Sequence, residues 1–191
     1  MTIRQTETFD ISGIEQVTLQ FADNVDNIAC VGSISGTTEM RLLTRSCRGV
    51  QSSIANPQKL TVTLSLYMPV ETARDLYGLE NDGLKTGIYA YTSSSKSKEF
   101  AFTARFRDDF QDKQKIIAIP SCRVTTGLSF TADDEQTDIA KVTMDFEASL
   151  DELGNLYYEA MIDDKAGIKE ADALKWEAGF KTALVKDTIA G

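Results

Sequence analysis

The sequence predicts a mainly β protein: two packed antiparallel sheets, sandwich- or barrel-like, with one flanking α-helix and extended terminal arms. Three observations lead there. Apolar and polar residues alternate with period two in segment after segment, one segment switches to helical spacing, and both chain ends are polar or charged. The organisation expected is an N-terminal arm at 1–13, a β domain over 14–162, and a C-terminal arm over 163–191 with helical character near its end.

Residues 1–13 hold only isolated apolar residues, Ile3, Phe9 and Ile11, and read as an arm. Residues 14–21 place Val17, Leu19 and Phe21 on one face, and 22–27 are turn chemistry. Residues 28–31 and 39–47 read as short strands interrupted by Gly32 to Gly36, and a long loop follows at about 44–58, with Gly49, Ser52, Ser53, Asn56 and Pro57. Residues 59–68 alternate Leu60, Val62, Leu64 and Leu66 against Thr61, Thr63, Ser65 and Tyr67. Then the period changes. Val70, Ala73, Leu76 and Tyr77 lie at helical spacing, with Pro69 and Glu71 suited to a helix start and Gly78 to its end.

The second half continues the alternation. Residues 87–92 read as a strand, and 93–98 as a polar connection. Residues 99–107 are the clearest strand of all: Phe100, Phe102, Ala104 and Phe106 face one way, Glu99, Thr103, Arg105 and Arg107 the other. Residues 116–120 and 123–131 are expected as two strands, with Gly127 a candidate bulge. Residues 140–150 and 156–162, separated by a turn, are expected to pair as a hairpin. Residues 172–185 suggest a helix in which Trp176 and Phe180 form an i, i+4 aromatic docking face.

Composition narrows the function classes. The chain has 191 residues, no histidine, 20 basic and 29 acidic residues, and a net charge of −9. Without histidine, the usual hydrolase triads and most zinc sites are excluded. The acidic balance argues against a surface that wraps nucleic acid, yet is compatible with DNA passing close by without adhering. No apolar run reaches the span of a bilayer, and the N-terminal residues lack a secretory apolar region, so a cytoplasmic origin is expected. Cys30, Cys47 and Cys122 are odd in number and widely spaced, and read as reduced thiols acting as small hydrophobes.

Candidate chemistry is sparse. Gly32-Ser33-Ile34-Ser35-Gly36 resembles a nucleophile elbow only loosely, because its centre is Ile34 and not serine; a glycine-rich turn is the better reading. Asp133, Asp134, Glu135 and Asp138 offer oxygen atoms but lack the spacing and glycine of a calcium loop, and read as a solvated tip. Trp176 reads as an anchor for the C-terminal arm and less well as a ligand platform. No catalytic residue, cofactor or metal is expected, and the chain is not expected to be an enzyme.

Three segments carry a family resemblance. Residues 84–91 (Leu-Lys-Thr-Gly-Ile-Tyr-Ala-Tyr), 95–104 (Ser-Lys-Ser-Lys-Glu-Phe-Ala-Phe-Thr-Ala) and 115–122 (Lys-Ile-Ile-Ala-Ile-Pro-Ser-Cys), continued by 140–160, resemble the tail tube, or major tail, proteins of long-tailed bacteriophages of Gram-positive hosts. The resemblance implies two packed sheets with a flanking helix, hexameric rings that stack into a tube, and strands lining a channel through which DNA leaves the capsid without specific binding. It also implies tape-measure and tail-terminator proteins as partners besides the chain itself, no membrane, and a place in the virion tail after assembly in the host cytoplasm. By position, residues 1–13, 163–191 and 44–58 would join ring to ring.

Charge suggests where copies meet. Residues 41–59 hold Arg41, Arg45, Arg48 and Lys59 with no acid among them, a local reversal in an acidic chain. Opposed to Asp133, Asp134, Glu135 and Asp138 of a neighbouring subunit, they would give stacking a polarity. A solvated basic loop explains the same residues equally well. Two other readings stay open at this point: a related tail part such as a terminator or secretion-system tube protein, and a carbohydrate-binding β-sandwich using a row of Tyr67, Tyr89, Tyr91, Tyr157 and Tyr158.

Overall fold

The computed structural model describes residues 8–29, 31–47, 50–129, 141–164 and 167–186. It is mainly β, with a flanking helix. The strands are β1 (Gly13–Gln20), β2 (Val25–Ile28), β3 (Val31–Cys47), β4 (Val50–Leu66), β5 (Phe100–Asp108), β6 (Lys113–Val124), β7 (Val142–Ala148) and β8 (Tyr158–Ile162). Helix α1 is Val70–Tyr77, helix α2 is Glu170–Gly179, and a 3-10 turn spans Thr182–Leu184.

The two expected sheets are one. Among the described residues a single eight-stranded sheet runs β2-β1-β5-β6-β7-β4-β3, with β8 paired to β6 off that path. The two-layered interior arises because this sheet folds over on itself. Val17, Leu19, Phe100, Phe102, Phe106, Ile117 and Ile119 from one half meet Leu60, Val62, Leu64, Leu66, Met144 and Phe146 from the other in one core. Phe146 of β7 sits at the seam, its ring centroid 5.4 Å from Phe100 and 5.1 Å from Phe102. Edge-to-face and tilted ring pairs of this kind add to the stabilisation from burial alone.

Alternation placed β7 and the Leu60 to Leu66 part of β4, whose apolar residues mark the one face turned to the core; β5 alternates as well, because the face opposite its phenylalanines, though covered, carries Thr103 and Arg105. β6 behaves differently. Ile117 and Ile119 point into the main core, while Ile116 and Ala118 point the other way, under α2. With both faces covered the strand reads as an unbroken apolar run, and residues 113–124 form one strand where two were expected. Pro120 is accommodated at a register shift: Phe102 pairs with Ile119 but Phe100 with Cys122, so the missing N–H falls where the ladder is already irregular.

Other expectations are corrected. Gly32 to Gly36 do not break the chain: both glycines lie inside β3, Gly32 at a bulge between the Val31–Leu66 and Ser33–Ser65 pairs. Residues 87–92 are not a strand; Ala90 makes only an isolated bridge to Glu80. β7 and β8 are not a hairpin, since both lie along the same side of β6, β7 against Cys122 to Val124 and β8 against Gln114 to Ala118.

Helix α1 follows its sequence signals. Pro69 is extended at its start, and Gly78, at φ 62°, closes it in the left-handed conformation with its N–H on the Arg74 and Asp75 carbonyls. Glycine is required there twice over, because a Cβ would collide with the Lys96 carbonyl. Thr72 Oγ1 donates to Asp26 Oδ2 at 2.7 Å and pins the helix to β2.

Candidate functional site

Of the expected loop at 44–58, the described residues, 44–47 and 50–58, are instead strand. β3 and β4 pair with each other from Val31–Leu66 out to Cys47–Val50, but β4 meets β7 only from Leu60 to Leu66. Beyond the register shift at Met40 and Pro57, the two strands have only each other and project from the body as a two-stranded arm of roughly 25 Å. Met40, Leu42, Leu43 and Ile54 on that arm are 54%, 65%, 45% and 64% exposed. A lone ribbon is marginal in water, and a long edge carrying exposed apolar residues is a template for association. Periodicity could not reveal it, since both faces lie in solvent and no alternation of buried and exposed positions is imposed.

The basic candidates separate in space. Arg41 is exposed on the arm, opposite Asn56, and makes no ion pair among the described residues. Arg45 lies further out in β3, and Arg48 lies outside the described residues. Lys59, at the arm's base, pairs with Glu147 of β7 at 2.5 Å, and that hydrogen bond holds its pKa above the ordinary lysine value. Lys59 is therefore occupied within its own chain. Asp133, Asp134, Glu135 and Asp138 lie outside the described residues.

Trp176 and Phe180 do form the expected aromatic pair, with centroids 4.9 Å apart. Both are buried against Ile116 and Ala118 of β6, so the chain's own sheet is what they dock on. Polar clamps fix the same segment. The Gln20 side chain donates to the Trp176 and Glu177 carbonyls at 2.6 and 3.1 Å and accepts from the Phe180 N–H at 2.5 Å. Arg105 of β5 forks onto both carboxylate oxygens of Glu177 at 2.8 and 3.1 Å and reaches Glu170 at 2.7 Å. Alternation marks Gln20 and Arg105 as outward-facing; that α2 covers this face was not legible, because its partner lies some seventy residues or more away along the chain.

The turn between β5 and β6 is held by hydrogen bonds. The buried Asp108 carboxylate accepts N–H bonds from Asp10, Phe110 and Gln111 at 3.0, 2.9 and 3.2 Å, and these hold its pKa below the usual aspartate value. Glu159, hydrogen-bonded by Lys115 and then Tyr157, and Glu99, hydrogen-bonded by Ser121 and Arg123, are lowered too. A carboxylate with a depressed folded pKa stabilises above its unfolded pKa and loses that contribution as pH falls through the folded one. Urea midpoints should accordingly stay level from neutral pH to about 5 and fall steadily below about 4.

The other candidates resolve simply. Of Tyr67, Tyr89, Tyr91, Tyr157 and Tyr158, only Tyr158 lies in a strand, and its ring packs on Phe180, so these tyrosines form no row on a sheet face. Cys122 is buried, and burial pushes its thiol pKa well up, in keeping with a packing role. No metal-holding cluster of acids and cysteines occurs among the described residues. No helix among them is long and apolar enough to cross a membrane.

No protein-family model matches the chain, and no curated protein matches it. Solved structures do. One is a chain of the sheath-tube complex of the PVC extracellular contractile injection system in its extended state, with 14% identity and a TM-score of 0.47 over 78% of this chain and 90% of that one. Another is from the cap that terminates the tube of the anti-feeding prophage, with 10% identity and a TM-score of 0.48 over 82% of this chain and 95% of that one.

Proposed function

We propose that this chain is a structural, self-assembling subunit of a phage-tail-like tube, acting without catalytic residues or cofactor. The observation that carries the reading is the projecting β3–β4 arm, with its unpaired strand edges and its exposed Met40, Leu42, Leu43 and Ile54. Identical neighbours can satisfy such an arm, and a repeated head-to-tail contact closes into rings or continues as a filament. The resemblance of residues 84–161 to tail tube proteins supports the finer picture: hexameric rings stacked into a conduit for DNA, meeting tape-measure and terminator proteins, assembled in the host cytoplasm and resident in the virion tail. The net charge of −9 suits a lumen along which phosphate slides.

The arm can be removed without touching the core. Replacing residues 42–55 by Asn-Gly leaves the Arg41–Asn56 pair to flank a two-residue hairpin turn. The variant should unfold within about 0.5 kcal/mol of the intact chain, yet form no rings or tubes by negative-stain electron microscopy. Tubes of normal length from this variant would refute the assignment of assembly to the arm.

A further inference from the structure

Phe110, at the tip of the β5–β6 turn, is 86% exposed, the most exposed of the large apolar side chains described. Its backbone is nonetheless fixed: Asp108 holds the Phe110 and Gln111 N–H groups, Ser12 Oγ accepts the Asp109 N–H at 2.8 Å, and Gln111 donates to Thr8 at 2.9 Å. An aromatic ring held outward on a pre-ordered turn is built as an anchor, because its ordering entropy is already spent before any partner arrives.

At the other end of the same strands lies an open apolar recess of about 640 Å³ between the β1–β2 turn and the C-terminal end of α2, lined by Phe21, Ala101, Gly179, Phe180, Ala183 and Leu184. Gln20 pairs with Ala101 at the recess end, and Gly13 with Arg107 at the turn end, so the two features sit roughly 25 Å apart along β5. Within one copy they cannot meet. Charge offers one match: Asp112 beside Phe110 and Lys181 beside the recess make no ion pair among the described residues, whereas Asp109 is paired with Arg107 and Lys175 with Asp172.

We propose that the Phe110 turn of one copy seats in the recess beside α2 of a second copy, a head-to-tail contact along the strand direction that is separate from the β3–β4 arm. The proposal rests on the self-assembly reading. It gives the contact a direction, because knob and recess lie on opposite ends and differ in charge.

The test compares the full chain with Phe110→Ser, Gly179→Leu and Asp112→Lys by sedimentation velocity and electron microscopy. Phe110 is solvated and a Cβ at Gly179 meets no atom within 4 Å, so both folds should survive, checked by circular dichroism. Each variant should lower the assembled fraction by about tenfold or more, and Lys181→Glu should restore assembly to Asp112→Lys. A Phe110→Ser variant that assembles like the parent overturns the proposal and leaves the tube reading standing. A second measurement works whatever the parent's assembly: with Cys30 and Cys47 replaced by serine, Asp109→Cys and Ala183→Cys proteins, which keep Phe110, are mixed under oxidation. A mixed disulfide well above that between Asp109→Cys and Ser94→Cys proteins supports the contact even if no tube forms; equal yields overturn it.

Discussion

Phe146→Ala lowers the unfolding free energy by about 3–5 kcal/mol. Phe146 is wholly buried, on the strand that connects the two halves of the folded-over sheet. Its neighbours cannot close the gap: Phe100 and Phe102 are themselves buried on β5, and Val62 and Val124, its register partners, are held by their own ladders. The truncation therefore leaves a cavity and removes two ring contacts at once. Urea denaturation followed by far-ultraviolet circular dichroism measures it, with Phe110→Ala as a surface control that should change stability by less than about 0.5 kcal/mol. A loss under about 1 kcal/mol at Phe146 would mean that the halves do not share one core.

Arg105→Ala should cost about 3–5 kcal/mol in the docking of α2. The reason is Glu177, only 8% exposed, whose carboxylate is left without its bidentate partner. Breaking such a pair is far more damaging than replacing both members by apolar groups, so Arg105→Met with Glu177→Leu should recover most of the loss. The chain has a single tryptophan, Trp176, buried in the segment that Arg105 and Gln20 clamp. Its emission should shift to the red in Arg105→Ala at urea concentrations where circular dichroism still reports an intact sheet. Coincident transitions by both probes, at the parent's midpoint, would contradict the latch.

These two sites mark how far sequence reasoning reached. Leu60 to Leu66 and Val142 to Ala148 were legible because each has one more exposed and one buried face, and Phe100 to Phe106 because its covered second face still carries Thr103 and Arg105, so period two is imprinted on the residues. Helix α1 was legible from Pro69 and Gly78. Two kinds of strand were not: β6, dry on both faces, and the β3–β4 arm, wet on both. Strand neighbours were likewise hidden, since β1 pairs with β5 across more than eighty residues and no local pattern encodes that register. That is why two sheets were expected where one sheet folds over. Trp176 and Phe180 were identified as a docking face, but the surface they cover, Ile116 and Ala118, belongs to the same chain. Phe110 went unremarked, although the Asp108-Asp109-Phe110-Gln111-Asp112 run carries the turn chemistry that holds it out.

Cryo-electron microscopy of the concentrated, intact chain tests the central claim most directly. The account predicts rings or tubes of constant diameter in which residues 40–57 of each copy lie against a neighbouring copy. A uniform population of monomers up to millimolar protein, or assemblies in which the β3–β4 arm remains in solvent, would contradict it.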